Sequence, residues 1–203
     1  MELAKKELIE NIVSTEVTEE EAPALIKLGE EMIPFCVTHG GVGLAAPQIG
    51  TFKRMFIWQI KESNASEGYQ IVFNPKYYKN GKQVRMLEGC LTYSQDHYFM
   101  ERWKGITAVF YTFYEGKFYK VSKQISGIRA VIFQHECDHL DGKTIAVVGE
   151  KLDDEKNKTF IEDFQRKTEI RRGLPEIPNN TTIQPKDSIG GAGSASVEFS
   201  PNE

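Results

Sequence analysis

The 203-residue chain is 40% hydrophobic and 27% charged, ordinary values for one globular domain with a sizeable core. Its net charge of −4 gives no reason to expect a general nucleic-acid or anionic-membrane binder. No apolar run approaches the roughly 20 residues needed to span a bilayer.

The N-terminal stretch "MELAKKELIENIVSTEVTEEE" lacks the apolar core of a signal peptide and is too acidic for a transit peptide. A cytoplasmic location is expected by default. Cys36, Cys90 and Cys137 are too scattered for a disulfide framework, so each is a free thiol or a metal ligand. Over residues 21–38, Ala22, Leu25, Ile26, Leu28, Met32 and Ile33 recur at roughly helical spacing, which predicts an amphipathic helix. "THGGVGLAAPQIG" then reads as a loop. Strands are expected at 54–60, 69–75 and 106–114, with "EGK" (115–117) turning a hairpin. A second helix is expected from Ser126, as N-cap, to Gly142, and a charged one over about 153–171. Beyond Gly173, Pro, Asn, Ser and Gly dominate; 174–203 is expected to be a mobile tail and 1–173 the catalytic domain.

"SGIRAVIFQHECDHLDG" carries the strongest signal. On a helical wheel Ile128, Val131, Ile132, His135 and His139 share one face, and the reading turns that face to the core. Two imidazoles one turn apart can hold one metal ion, and Glu136 beside them is placed as a water-activating base. Cys137 points away and reads as packing. Paired histidines with an inserted glutamate favour a metal site over two hydrogen-bonded core residues.

Such a site needs a third protein ligand. No histidine follows His139, and Glu150, Glu155, Glu162 and Glu169 sit in a charged, solvated-looking helix. His39 and His97 are further possibilities. Cys90, in "LEGCLTY" (87–93), has no packing period and would bind iron or zinc as a thiolate. Spacing alone leaves the choice open.

Three stretches together resemble the peptide deformylase family: "GVGLAAPQ" (41–48), "EGCLT" (88–92) and "QHECDHLDG" (134–142). The similarity runs over about residues 20–165. The resemblance implies an α+β fold, with mixed or antiparallel strands around a central metal-bearing helix. It also implies that Cys90, His135 and His139 hold one divalent ion, natively Fe(II), with Zn, Ni or Co accepted. Glu136 then serves as base, and the Gln48 amide and Leu91 backbone N–H face the oxyanion. The expected substrates are N-formylmethionyl nascent peptides met near the ribosome exit, and the reaction releases formate. No nucleic-acid or membrane partner and no oligomer are expected.

The backbone at Val42, Gly43 and Leu44 matches the segment that pairs with extended substrate, a plain turn being the alternative. Gly89 permits close backbone approach beside Cys90. Ile128, Val131 and Ile132 could wall an apolar pocket or be ordinary core. The chain departs from the usual pattern at Thr92, where Ser is commoner, and at His97, near a usual basic position. Arg102 fits the family's arginine, with Asp138 as candidate partner. Two other readings are a His-Glu-x-x-His metallopeptidase, which needs a third His or Glu ligand, and a binding protein without turnover, which intact Glu136 disfavours.

Overall fold

Met55 to Trp58 are apolar without a break because both faces of their strand, β2 (Met55–Gln59), are covered. Met55 and Ile57 point into a cluster with Leu25, Met32 and Ile33 of helix α2 (Ala22–Thr38). Phe56 and Trp58 point the other way, into a cluster with Ala130, Phe133 and Leu140 of helix α3 (Ile128–Leu140). The sheet is thus sandwiched between two helices. The computed structural model describes residues 1–60, 68–94, 96–159 and 162. All of these lie in the unit Met1–Glu162; Asp163–Glu203, including the expected tail 174–203, falls outside the described residues.

In chain order the elements are α1 (Lys6–Ile9), α2, β1 (Gly43–Ala45), β2, β3 (Tyr69–Gly89), β4 (His97–Tyr114), β5 (Lys117–Ser126), α3, α4 (Ile145–Val148) and β6 (Glu150–Lys151). The sheet runs β1-β2-β3-β4-β5, with β6 beside β4, and every pairing of these strands is antiparallel. This is the expected α+β architecture. An isolated parallel bridge, Thr15 to Lys53, ties down the N-terminal segment.

The predicted helix over 21–38 is present, introduced by a capping box in which Thr18 and Glu21 exchange hydrogen bonds. Glu115 and Gly116 have φ of 47° and 80°, the left-handed pair that a tight hairpin requires. The predicted strands at 69–75 and 106–114 proved to be parts of longer ones. Register shifts between Phe73 and Lys76 and between Asn80 and Gln83 break the alternation that would have revealed β3. β1, and the 3-10 turn Ala46–Ile49 after it, occupy the stretch expected to be a loop.

Two expectations about α3 are corrected. Ser126 ends β5 and is not the N-cap; Gly127, at φ 64°, makes the corner and the helix starts at Ile128. The face that packs on the sheet is Ala130, Phe133, Cys137 and Leu140, with Phe133 edge-on to Phe56 at 5.2 Å and Trp58 at 5.5 Å. The His135 and His139 stripe lies on the opposite side. Both stripes are apolar, so periodicity alone could not rank them. At the other end Lys143 N–H donates to Asp138 O and Gly142 N–H to His139 O, with Gly142 at φ 68°, the expected glycine stop. Residues 154–159 are helical and Asp153 lies just before them; of the rest of the expected charged helix, 160–161 and 163–171 lie outside the described residues.

Candidate active site

The face of α3 turned away from Phe56 and Trp58 carries His135 and His139 one turn apart, His139 buried, and the end of β3 delivers Cys90 against them. Cys90 Sγ lies 3.4 Å from His139 Nε2, which lies 3.2 Å from His135 Nε2. The donor atoms of all three residues fall within 4.8 Å of one another. Ligand bonds of about 2.0–2.1 Å to nitrogen and about 2.3 Å to sulfur put tetrahedral donors about 3.3 Å (N–N) and 3.6 Å (S–N) apart. The observed spacings match those values, so the residues fit a four-coordinate ion. A thiolate with two imidazoles suits iron, zinc, nickel or cobalt. Burial would raise the Cys90 thiol, but His139 and His135 outweigh it and hold the thiol well below its usual range.

Glu88 precedes Cys90 by two residues and, by strand alternation, faces the same side. Its Oε2 accepts from His135 Nδ1 at 2.9 Å, and both its oxygens accept from Arg102, at 2.7 and 2.9 Å. Arg102 Nη1 also reaches Asp138 Oδ2 at 2.5 Å, the pairing expected for it. Burial alone would raise the Glu88 carboxyl; Arg102 and His135 instead hold it down to about 2. An ionised Glu88 fixes the proton of His135 on Nδ1 and leaves Nε2 for an ion. Sequence reasoning missed Glu88. The available signal was its i, i+2 relation to Cys90 in a strand.

Gln48 sits on the 3-10 turn after β1. Ala45 N–H donates to its Oε1 at 2.8 Å, which turns Nε2 toward Cys90 Sγ at 3.4 Å and Thr92 Oγ1 at 3.1 Å. Leu91 opens the next 3-10 turn, directly after Cys90. Glu136 is 3% exposed, and its Oε2 has no hydrogen-bond partner among the described residues. Such an oxygen is costly unless a ligand or water meets it. Burial pushes the carboxyl up to about 7 against the pull of His135 and His139.

Gly43 explains how Glu136 fits. A Cβ at position 43 would lie 2.2 Å from Glu136 Oε1 and 2.8 Å from its Cδ. We expect Gly43→Ala to displace the carboxylate and lower kcat/KM for a formyl-Met peptide by about 100-fold or more, with bound metal unchanged. Steady-state kinetics beside metal analysis checks this, and a twofold effect would rule the contact unimportant. From behind, Tyr69 O–H donates to Gly41 O at 2.6 Å and the Cys36 thiol to Gly43 O at 3.4 Å. Burial pushes the Cys36 thiol up to about 12, so Cys36 packs as a neutral group. Cys137 is likewise buried, its thiol held up by burial.

The other expected site residues divide. Val42 is exposed on the approach to β1, whereas the Leu44 side chain is sealed in the α2 cluster, leaving only its backbone to a peptide. Val131 is buried and Ile132 half-buried. The expected stripe is buried at Val131 and His139, but Ile128, 62% exposed in the first turn of α3, is not part of the buried face. Seven residues separate it from His135, about 10 Å of helix. At Gly89 a Cβ would stand 3.3 Å from His97 Nε2, so that position is tight against β4.

The polypeptide deformylase family matches residues 5–157. The peptide deformylase of Thermotoga neapolitana is 35% identical over 123 residues, 60% of this chain and 70% of that protein. Peptide deformylase 2 of Geobacillus stearothermophilus is 38% identical over 106 residues, and the chain spans 56% of its length. A crystal structure of the Acinetobacter baumannii enzyme, bound to Met-Ala-Ser, superposes with a TM-score of 0.62 at 25% identity, covering 72% of this chain and 97% of that one. With this match and this constellation of Cys90, two histidines and Glu136, the chain belongs to the polypeptide deformylase family, metal-dependent hydrolases that remove the formyl group from an N-terminal methionine.

Proposed function

We propose that this chain deformylates N-formylmethionyl peptides with Cys90, His135 and His139 holding one divalent ion and Glu136 carrying the proton. The observation that carries the reading is the meeting of a thiolate and two imidazoles beside a buried carboxylate oxygen without a partner. When bound, the ion would lower the pKa of water toward about 7 and polarise the formyl oxygen. Glu136 Oε2 takes up the proton that the attacking water gives up, then returns it to the departing methionine nitrogen. The Gln48 amide, pinned by Ala45, donates to the developing oxyanion together with the Leu91 backbone N–H. Glu88, held by Arg102, keeps His135 in one tautomer throughout.

β1 ends the sheet, and its outer edge at Val42, Gly43 and Leu44 suits pairing with an extended peptide. The Met-Ala-Ser bound to the Acinetobacter baumannii relative supports a peptide beginning with methionine as the ligand. Half-buried Ile132 and buried Val131 suit an apolar methionine, with Ile128 and Gly89 at the margins. Nascent chains at the ribosome exit are the source we infer. A monomer is supported by exposed Lys117, Lys120 and Lys123 on the terminal strand β5, which discourage edge pairing. A reducing cytoplasm suits a thiolate ligand. No helix among the described residues is long and apolar enough to cross a membrane.

Incubating metal-loaded protein with formyl-Met-Ala tests the reading: formate should be released with the Met-Ala bond intact. Absence of formate would overturn it, and cleavage of Met-Ala would favour the metallopeptidase alternative. For the native ion we infer Fe(II), with Zn, Ni and Co as substitutes. Iron beside a thiolate is open to oxidation, so the iron form should lose activity in air faster than a nickel form. Equal decay of the two would count against that assignment.

A further inference from the structure

The N-terminal segment from Ala4 to Ser14 packs behind the site, and Glu10 within it joins the site's two halves. Glu10 Oε1 accepts from the Tyr93 hydroxyl and, at 3.3 Å, from Thr144 Oγ1; the two hydroxyls lie 3.1 Å apart, closing a triangle. Tyr93 belongs to the turn that begins at Cys90, where its N–H donates to Cys90 O at 2.9 Å. Thr144 lies just past Gly142, whose N–H donates to His139 O. Glu10 therefore spans the turn that presents Cys90 and the helix end that presents His139. Tyr93 and Thr144 are buried at 9% and 1% exposure, and Cys90 packs on the same small cluster as Tyr93, Tyr98, Met100 and Ile145.

The surrounding bonds make Glu10 stationary. Asn11 N–H donates to Gly142 O and Ser14 N–H to Leu140 O, each at 2.8 Å, and Ala4 N–H donates to Gln48 O at 2.8 Å. A Cβ at Gly142 would meet Ile12 N at 2.7 Å, so the segment lies flush on the helix stop. We propose that Glu10 is a positioning residue of the metal centre: with Tyr93 and Thr144 it sets the distance between Cys90 and His139, and thereby how firmly the ion is kept. The inference rests on the ligand set proposed above.

The test loads wild type, Glu10→Ala, Tyr93→Phe and the double variant with Co(II) and follows its capture by a coloured chelator. Each single variant should release the ion about 10-fold faster, within the range for groups that orient metal ligands. The double variant should be no faster than the singles, since both changes break one triangle. KM for formyl-Met-Ala should stay as in wild type, because no member of the triangle is placed to touch the peptide. Wild-type release rates in both singles would overturn the proposal. So would acceleration no greater than in Leu25→Val, a core change in the α2 cluster, at matched thermal midpoint. Failure of the ligand set itself would be seen separately, as unchanged metal content in Cys90→Ser.

Discussion

Replacing Glu136 by glutamine will leave the ion bound and lower kcat on formyl-Met-Ala by about 10²–10⁴-fold, the range for loss of a positioned acid–base group. Glutamine keeps the shape, so the space under Gly43 stays filled and β1 is not displaced. What it removes is the oxygen that can accept a proton. Glu136 touches none of the ligand nitrogens by a hydrogen bond, whereas His135 is fixed through Glu88. Metal content should accordingly match wild type, and KM should change little. A variant retaining more than a tenth of wild-type kcat would remove Glu136 from the proton path.

Cys90→Ser should fail at an earlier step. A serine hydroxyl is neutral at pH 7 and a harder donor, so the site keeps two imidazoles and loses its anionic ligand. Affinity for the ion should fall by more than 100-fold, beyond the 10–100-fold typical of groups that only orient ligands. Formate release should fall with it and recover partly at high metal concentration. Elemental analysis after dialysis measures the loss directly. Equal metal in variant and wild type would return the third-ligand question to the glutamates and histidines that spacing left open.

Much of this site was legible because its residues sit in short contiguous words. "QHECDHLDG" places two donors and the base on one helix, where local periodicity holds. "GVGLAAPQ" and "EGCLT" could be tied to that helix by resemblance, but not by any rule of spacing, since their approach depends on how β1 and β3 pass α3. The contacts that were hidden are all long-range. Glu88 looks like one more strand residue until β4 brings Arg102 against it, and Gly43 looks like a turn glycine until α3 brings Glu136 to it. β3 escaped recognition past residue 75 because its bulges and exposed lysines erase the period of two. The orientation of α3 was misread for the opposite reason, an excess of apolar signal on both of its sides.

That orientation makes α3 a lever. Phe133, wedged among Phe56, Trp58 and Phe110, is the fulcrum, and the imidazoles ride on the far side of the helix cylinder. At a radius of about 6 Å, a roll of about 10° carries a ring nitrogen by about 1 Å, a displacement able to cost about 100-fold in rate. Residues that never approach substrate, the aromatic trio above all, therefore govern the reaction by holding the helix against rotation.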